Sequence, residues 1–199
     1  THVPGDKIVE ALKDLPEGCL FILDEAYSEF APASSLPSLE ITDMRVVRLR
    51  TFSKAYGMAG ARVGYAMAEE NLINSFEKIR NHFGMSRSAQ KAALEALSDD
   101  QWLLEMVQKV ENGRQRIYKI AASNNLKSIT SSTNFVAIDC CKDGKFAKKV
   151  LKELISLGIF VRMPFVSPQD RCIRVSVGKK RDLDRFEEAL PKALRQASK

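Results

Sequence analysis

One short apolar run most constrains the fold of this chain. Residues 19–23 are continuously apolar and lie between a helical pattern at residues 6–15 and a polar stretch that begins at Asp24. A run this short, bounded by polar residues, predicts a strand buried on both faces. Strand patterns at residues 46–52 and 62–68 continue the alternation. The first half of the chain therefore predicts an α/β fold with a largely parallel sheet.

The second half of the chain has a different pattern. An apolar stripe from Leu103 to Ile120 predicts a helix of about 20 residues. Strand patterns at 128–140, 159–163 and 172–177 follow, together with two helical patterns. The first of these helices starts at Asp143, a plausible N-cap, and ends at Gly158. We therefore expect residues 1–99 to be the end of a large domain, and residues 100–199 to be a linking helix and a small α+β domain.

Composition excludes several classes of function. The net charge of +6 comes from 31 basic and 25 acidic residues and is spread along the chain, whereas nucleic-acid binders concentrate basic residues on one face. No apolar run reaches the length of about 20 residues that a membrane helix needs.

Four cysteines without Cys-x-x-Cys spacing, three of them in apolar stretches, suggest buried thiols and a reducing, cytosol-like compartment. Only two histidines are present, so a metal centre is not expected, and His82 alone remains a candidate base.

Two charged residues follow predicted strands, where α/β sheets bind ligands. Asp24 follows the first apolar run, and we expect its carboxylate to be partly desolvated. Taken alone, however, the residue favours a helix cap or a solvated loop acid. Lys54 lies in a loop with glycines, hydroxyl residues and Arg62. Such a loop can approach a phosphate closely, so Lys54 could be a phosphate contact or one more surface cation. The loop lacks the Gly-x-x-x-x-Gly-Lys spacing of a Walker loop, so it is not a nucleotide-binding loop of that kind.

Taken together, these residues resemble a known family. Asp24 begins the segment DEAYSEF, and Thr51 begins TFSKAYGMAGARVGY. Both segments resemble those of fold-type-I aminotransferases that use pyridoxal 5′-phosphate. Their residue sequences are most similar to those of the histidinol-phosphate aminotransferase subgroup. The resemblance implies that Lys54 forms a Schiff base with the cofactor and then shuttles the substrate's α-proton.

The same resemblance implies further cofactor contacts. Asp24 would pair with the pyridinium nitrogen, and Tyr27 would donate a hydrogen bond to the phenolic oxygen of the ring. The phosphate would be held by three side chains that can donate hydrogen bonds, those of Thr51, Ser53 and Arg62.

Two further arginines resemble substrate ligands of the family. Arg174 alternates with the apolar residues Ile173 and Val175. Its guanidinium would bind the substrate's α-carboxylate through two parallel hydrogen bonds. Arg162 would approach the distal end of the substrate, where a phosphate could lie. Without the resemblance, a solvated strand face would explain Arg174.

The resemblance begins partway through the family's chain. The glycine-containing phosphate turn, the aromatic residue that stacks on the cofactor, and the Asn-Pro segment upstream of the aspartate have no counterpart here. We therefore expect this chain to match only the C-terminal part of an aminotransferase, and the 199 residues alone to show little transaminase activity.

The expected function is amino-group transfer between an amino acid or histidinol phosphate and a 2-oxo acid, in a cytoplasmic homodimer with shared active sites. Two alternatives stay open. One is a lyase of the phosphothreonine decarboxylase kind, which uses the same lysine, aspartate and arginines. The other is an aminotransferase-like sensor that binds the cofactor without turnover.

Overall fold

Two separate three-stranded sheets organise the computed structural model, which describes residues 2–199. Each sheet belongs to a different unit of the chain, His2–Val107 or Gln108–Lys199. The chain is therefore α/β in its first part and α+β in its second, as the sequence predicts.

The first unit contains three strands and three complete α-helices. In chain order they are α1 (Gly5–Lys13), β1 (Phe21–Asp24), β2 (Val46–Thr51), β3 (Gly64–Met67), α2 (Glu70–Phe76) and α3 (Arg87–Leu97). Strand β2 is central and pairs parallel with β1 but antiparallel with β3. The loop between β2 and β3 reverses the chain, and the Phe52 N–H donates to the Val63 carbonyl at 3.2 Å across its base. The sheet is therefore mixed, with one parallel pairing, rather than largely parallel.

The apolar run at residues 19–23 is not buried on both faces, so this prediction was wrong. Side chains alternate across a strand, and Phe21 and Leu23 are half-buried on one face of β1. Ile22, on the other face, is 63% exposed, and Leu20 is 52% exposed. Cys19 is exposed too, unlike the buried Cys140 and Cys172. The described residues of this unit cover only one face of β1, which is why the run is half in solvent.

A single long helix, α4 (Asp100–Ser123), runs from the first unit into the second. It has 24 residues, slightly more than the stripe from Leu103 to Ile120 predicts. The division between the units falls within it, between Val107 and Gln108. That residues 1–99 belong to a large cofactor domain and residues 100–199 to a linking helix and small domain stays a prediction.

The second unit packs helices against one side of an antiparallel sheet. Its elements after α4 are β4 (Lys127–Ile129), β5 (Phe135–Asp139), α5 (Gly144–Ser156), β6 (Cys172–Ser176) and α6 (Lys180–Ala197). Strand β5 is central. Apolar side chains of α4, β5, α5, β6 and α6 form the core. They include Ile117, Val136, Ile138, Val150, Leu154, Ile173, Phe186 and Leu190. Burial of each such side chain contributes about 1.5–3 kcal/mol.

Two strand predictions in this unit were too long. The pattern at residues 128–140 forms two strands, because the hydroxyl of Ser131 accepts the Thr133 N–H at 3.1 Å and turns the chain between them. The pattern at residues 159–163 forms only one bridge, between Arg162 and Arg174. Pro164 follows almost at once and cannot donate to a ladder.

Helix α5 begins and ends as the sequence predicts. The Oδ1 of Asp143 accepts the Phe146 N–H at 2.9 Å, which caps the first turn. The helix gives way to Gly158, whose φ of 75° lies in the left-handed region that favours glycine.

Candidate active site

Asp24 is the last residue of β1 and lies opposite Leu49 of β2. Its Oδ1 accepts the N–H of Ala26 at 3.0 Å, so a local turn fixes the carboxylate. The side chain is exposed, and the expectation that it is partly desolvated was wrong for the described residues. The cause is the uncovered face of β1 on which Ile22 also lies. A carboxylate held at this strand end is available to a cationic ligand.

Lys54 lies in the loop that follows β2. The Lys54 carbonyl accepts the N–H of Gly57 at 3.0 Å, and the φ of Gly57 is 68°. Ala55 is buried beside Lys54 and anchors the loop. The Nζ of Lys54 lies 5.3 Å from the centroid of the Tyr27 ring. The structure thus brings together two predicted site residues from the loops that follow β1 and β2.

Thr51, Ser53 and Arg62 lie at the two ends of the same loop. The Oγ1 of Thr51 accepts the Ser53 N–H at 3.1 Å. Thr51 pairs in register with Gly64, two residues after Arg62. Arg62 has a φ of 52° and a ψ of 49°, a left-handed conformation that is costly for a residue with a side chain. Its Nη1 donates to the Ala59 carbonyl at 2.8 Å, and the side chain is exposed.

An aromatic cluster supports this loop from within the first unit. Phe52, which is 2% exposed, packs with ring centroids 4.9 Å from Tyr56 and 5.7 Å from Tyr65. Burial raises the pKa of Tyr56 above its ordinary value, and the negative charge of Glu29 raises it further. The residues on either side of Lys54 are therefore fixed by packing, whereas Lys54 itself is only half-buried.

Glu25, next to Asp24, is a buried acid that the sequence reasoning missed. Its side chain is only 4% exposed and forms ion pairs with Arg48 at 2.6 Å and Arg50 at 3.1 Å. Burial lowers the pKa of Arg50, but the hydrogen bond and charge of Glu25, aided by Tyr65, raise it above its ordinary value. The signal for this cluster was present in β2, where arginines occupy alternate positions of an otherwise mostly apolar strand.

Arg174 and Arg162 belong to the second unit. Arg174 lies in β6 between buried Ile173 and Val175, as the alternation predicts, and its guanidinium carbon lies 4.6 Å from the centroid of the Phe135 ring. Within the described residues, its buried Nε has no hydrogen-bond partner. The backbones of Arg162 and Arg174 exchange both N–H to carbonyl bonds, at 3.1 and 2.6 Å. Such a pair directs both side chains to one face, where two like charges favour an anion between them.

Residues 2–199 contain neither a metal-binding cluster nor a membrane-spanning helix. No group of three or more histidine, cysteine, aspartate or glutamate side chains is arranged to hold a metal ion there. None of the helices in that range is long and apolar enough to cross a membrane.

The chain is similar to proteins of known family. Residues 3–190 match the family model for aminotransferase class I and II. The chain is 36% identical over 200 residues to a histidinol-phosphate aminotransferase from Geobacillus sp. (strain WCH70), covering 98% of this chain and 54% of that protein. It is 36% identical over 194 residues to the enzyme of the same name from Bacillus licheniformis, covering 96% of this chain and 53% of the relative. The chain thus spans about half the length of the curated relatives that it matches.

Two solved structures share the fold of this chain. The histidinol-phosphate aminotransferase of Sinorhizobium meliloti, solved in complex with pyridoxal-5′-phosphate, superposes with a TM-score of 0.96 and 47% identity, covering 98% of this chain and 54% of that one. The L-threonine-O-3-phosphate decarboxylase of Porphyromonas gingivalis superposes with a TM-score of 0.76 over 97% of this chain and 60% of its own, but at 19% identity it shows a shared fold alone. Because the family model covers most of its length, this chain belongs to the class I and II aminotransferase family.

Proposed function

We propose that this protein is a pyridoxal 5′-phosphate-dependent aminotransferase that moves an amino group between an amino acid, or histidinol phosphate, and a 2-oxo acid. The observation that carries this proposal is the primary amine of Lys54 held 5.3 Å from the Tyr27 ring centroid. In a chain of this family, that contact supports Lys54 as the residue that attaches the cofactor.

The side chains of the first unit fit that cofactor chemically. A carboxylate suits the protonated ring nitrogen, a phenol suits the ring oxygen, and an amine suits the aldehyde. In this chain those groups are Asp24, Tyr27 and Lys54. Hydroxyl and guanidinium donors suit the phosphate, and they would come from Thr51, Ser53 and Arg62. The 47% identity to a structure that holds the cofactor supports the same assignment.

Each of these groups then has a definite task. When bound, pyridoxal 5′-phosphate supplies an electron-withdrawing ring that stabilises negative charge at the substrate's α-carbon. The Nζ of Lys54 accepts the α-proton and returns it to the product side, as a general base and then a general acid. The carboxylate of Asp24 keeps a proton on the group that it faces, since an ionised acid favours a neighbouring cation.

The arginine pair of the second unit supports an anionic substrate. Arg174 would bind the α-carboxylate, because stacking on Phe135 orients its planar donors and its Nε has no partner among the described residues. Arg162, on the same face, would bind a distal anionic group such as a phosphate. The names of the relatives make histidinol phosphate the first donor to assay.

The assembly and location belong to the same proposal. We infer a homodimer with shared active sites, because the resemblance implies one. We infer that it works in the cytoplasm, because all four cysteines are free thiols. We also infer that residues 1–99 complete a large cofactor domain and that residues 100–199 form the linking helix and small domain.

The test uses the protein expressed from its complete reading frame. It is titrated with pyridoxal 5′-phosphate, followed by absorbance, and then with histidinol phosphate or aromatic amino acids and a 2-oxo acid. We expect a cofactor band that Lys54→Ala removes and that Lys91→Ala, an exposed lysine on α3, retains. A band that persists in Lys54→Ala would overturn the lysine assignment. Release of carbon dioxide would instead indicate the lyase, and a band that no amino donor changes would indicate the sensor.

A further inference from the structure

A buried ion-pair cluster lies on the face of the first sheet opposite Asp24. Glu25 accepts hydrogen bonds from Arg48 Nε at 3.0 Å, Arg48 Nη2 at 2.6 Å and Arg50 Nε at 3.1 Å. The side chains of Glu25, Arg48 and Arg50 are 4%, 14% and 24% exposed. Glu25 directly follows β1, both arginines lie in β2, and Arg50 pairs in register with Tyr65 of β3.

The cluster links the two strand ends that carry the proposed cofactor groups. The N–H of Glu25 donates to the Leu49 carbonyl at 2.9 Å, the bond that continues the β1–β2 pairing just past Asp24. Arg50 stands four residues before Lys54, with the buried Phe52 between them. One carboxylate therefore ties the end of β1 to the part of β2 that leads into the Lys54 loop.

Glu25 supplies the only negative charge among the three residues of this cluster, beside two arginines. Arg48 and Arg50 lie on the same face of β2, since residues two apart share a face. With the carboxylate removed, two largely buried cations would face each other without compensation, and breaking a buried pair in this way is strongly unfavourable. Loss of the carboxylate would also remove the three hydrogen bonds that join the residue after Asp24 to the part of β2 that leads toward Lys54.

We propose that Glu25 is a positioning residue that, through Arg48 and Arg50, fixes the spacing between Asp24 and Lys54. This inference rests on the proposed function, because the spacing matters only if both residues address one cofactor. It assigns Glu25 no contact with the cofactor. Its role is to keep the loop after β1 and the loop after β2 in one arrangement before the cofactor binds.

The test compares Glu25→Gln with a matched control, Asp43→Asn. Asp43 also accepts two guanidinium bonds from an arginine, Arg45, but this pair precedes β2 and Arg45 is half-exposed. In the cofactor-free protein, hydrogen–deuterium exchange should accelerate at residues 21–25 and 52–58 in Glu25→Gln and not in Asp43→Asn. This readout requires no bound cofactor.

The second readout is the rate at which the cofactor becomes attached to Lys54. Borohydride reduction fixes the attached cofactor, and mass spectrometry measures its amount relative to the total cofactor bound. Displacement of reacting groups by about 1 Å slows such steps strongly, so we expect attachment to slow by about ten- to a hundredfold in Glu25→Gln. A purely structural role would lower the folded fraction but leave attachment per bound cofactor unchanged. Arg50→Lys, which keeps the charge but loses the Nε donor, should slow attachment as well.

The outcomes separate this inference from the proposed function. If the unmodified protein attaches no cofactor to Lys54, the proposed function fails, whatever Glu25 does. If the unmodified protein attaches cofactor and both variants attach it at the same rate, the positioning role is overturned. Should Glu25→Gln fail to fold, normal attachment in Arg50→Lys alone overturns it.

Discussion

The ammonium of Lys54 lies over the ring of Tyr27, with 5.3 Å between the Nζ and the ring centroid. A cation within about 6 Å of a ring face is attracted by the ring's negative face. The two residues come from loops after neighbouring parallel strands, so the contact couples the two loops within the first unit.

This contact predicts different effects for two substitutions of Tyr27. Tyr27→Phe keeps the ring beside Lys54 but loses the hydroxyl proposed to donate to the cofactor, so it should weaken cofactor binding by the worth of one hydrogen bond, about two- to tenfold. Tyr27→Ala also removes the ring that the Lys54 Nζ contacts, so it should weaken cofactor binding further. Absorbance titration with pyridoxal 5′-phosphate measures both. If Tyr27→Ala binds as tightly as the unmodified protein, the ring does not position the lysine.

Arg62 predicts a conflict between stability and binding. Its φ of 52° is one that glycine adopts freely, so Arg62→Gly should raise the free energy of unfolding by up to about 1 kcal/mol. The same change removes the guanidinium proposed to hold the cofactor's phosphate, so cofactor affinity should fall at least about tenfold, the worth of a charge-assisted bond.

Denaturant unfolding and absorbance titration of the same samples test both effects of the Arg62 change. Arg62→Lys is the matched control, because it keeps a positive charge and the strained backbone; it should show no gain in stability. A variant that gains stability without losing affinity would remove Arg62 from the proposed phosphate site.

Patterns that depend on neighbouring residues in the chain were the ones that the sequence predicted well. The cap at Asp143 and the alternation around Arg174 each depend on contacts within a few residues, and both are confirmed. The family was also readable from the sequence, because its motif concentrates unusual residues around Lys54. Local chemistry and a specific motif therefore sufficed for the class of fold and the family.

What the sequence could not predict depends on residues far apart in the chain. The exposure of Ile22 depends on what covers the second face of β1, and apolar character alone cannot reveal that. The ion pairs of Glu25 join positions more than 20 residues apart, at Arg48 and Arg50. A buried acid next to a motif aspartate is indistinguishable from a loop acid until the register of β1 on β2 is known.

The four cysteines should divide into two reactive and two protected thiols. Burial raises the pKa of Cys140 to about 12, and the neighbouring Cys172 adds to the shift. At pH 8 the thiolate fraction of Cys140 is then on the order of one in ten thousand, and the thiolate is the reactive form. Burial raises the pKa of Cys172 as well. Iodoacetamide at pH 8 should therefore label the exposed Cys19 and Cys141 in the native protein, and all four after denaturation.

Peptide mass spectrometry identifies the labelled cysteines. Raising the pH from 8 toward 10 increases the thiolate fraction of Cys140 about a hundredfold, but only to about one in a hundred, so labelling of Cys140 should stay slow while the protein stays folded. Rapid native labelling of Cys140 would show that the core formed by β5, β6 and α5 opens far more readily than its burial implies.

Gly113 of α4 predicts a substitution that is unfavourable in spite of helix propensity. Alanine is favoured over glycine within a helix by about 1 kcal/mol, but a Cβ at Gly113 would lie 2.4 Å from the Cγ1 of Val177. Valine is stiff about its first side-chain bond and cannot turn away easily, so overpacking of about 1–3 kcal/mol should outweigh the gain. We expect Gly113→Ala to lower the free energy of unfolding by up to about 2 kcal/mol, the difference of the two effects.

A double-mutant cycle with Val177→Ala tests this mechanism by denaturant unfolding. Val177→Ala removes the Cγ1 that the new methyl group would strike, so adding Gly113→Ala to it should raise the free energy of unfolding by the helix-propensity gain alone. The sign of the Gly113→Ala effect thus reverses between the two backgrounds. If it stays unfavourable in the Val177→Ala background, the close approach of α4 to residue 177 is not what requires glycine at position 113.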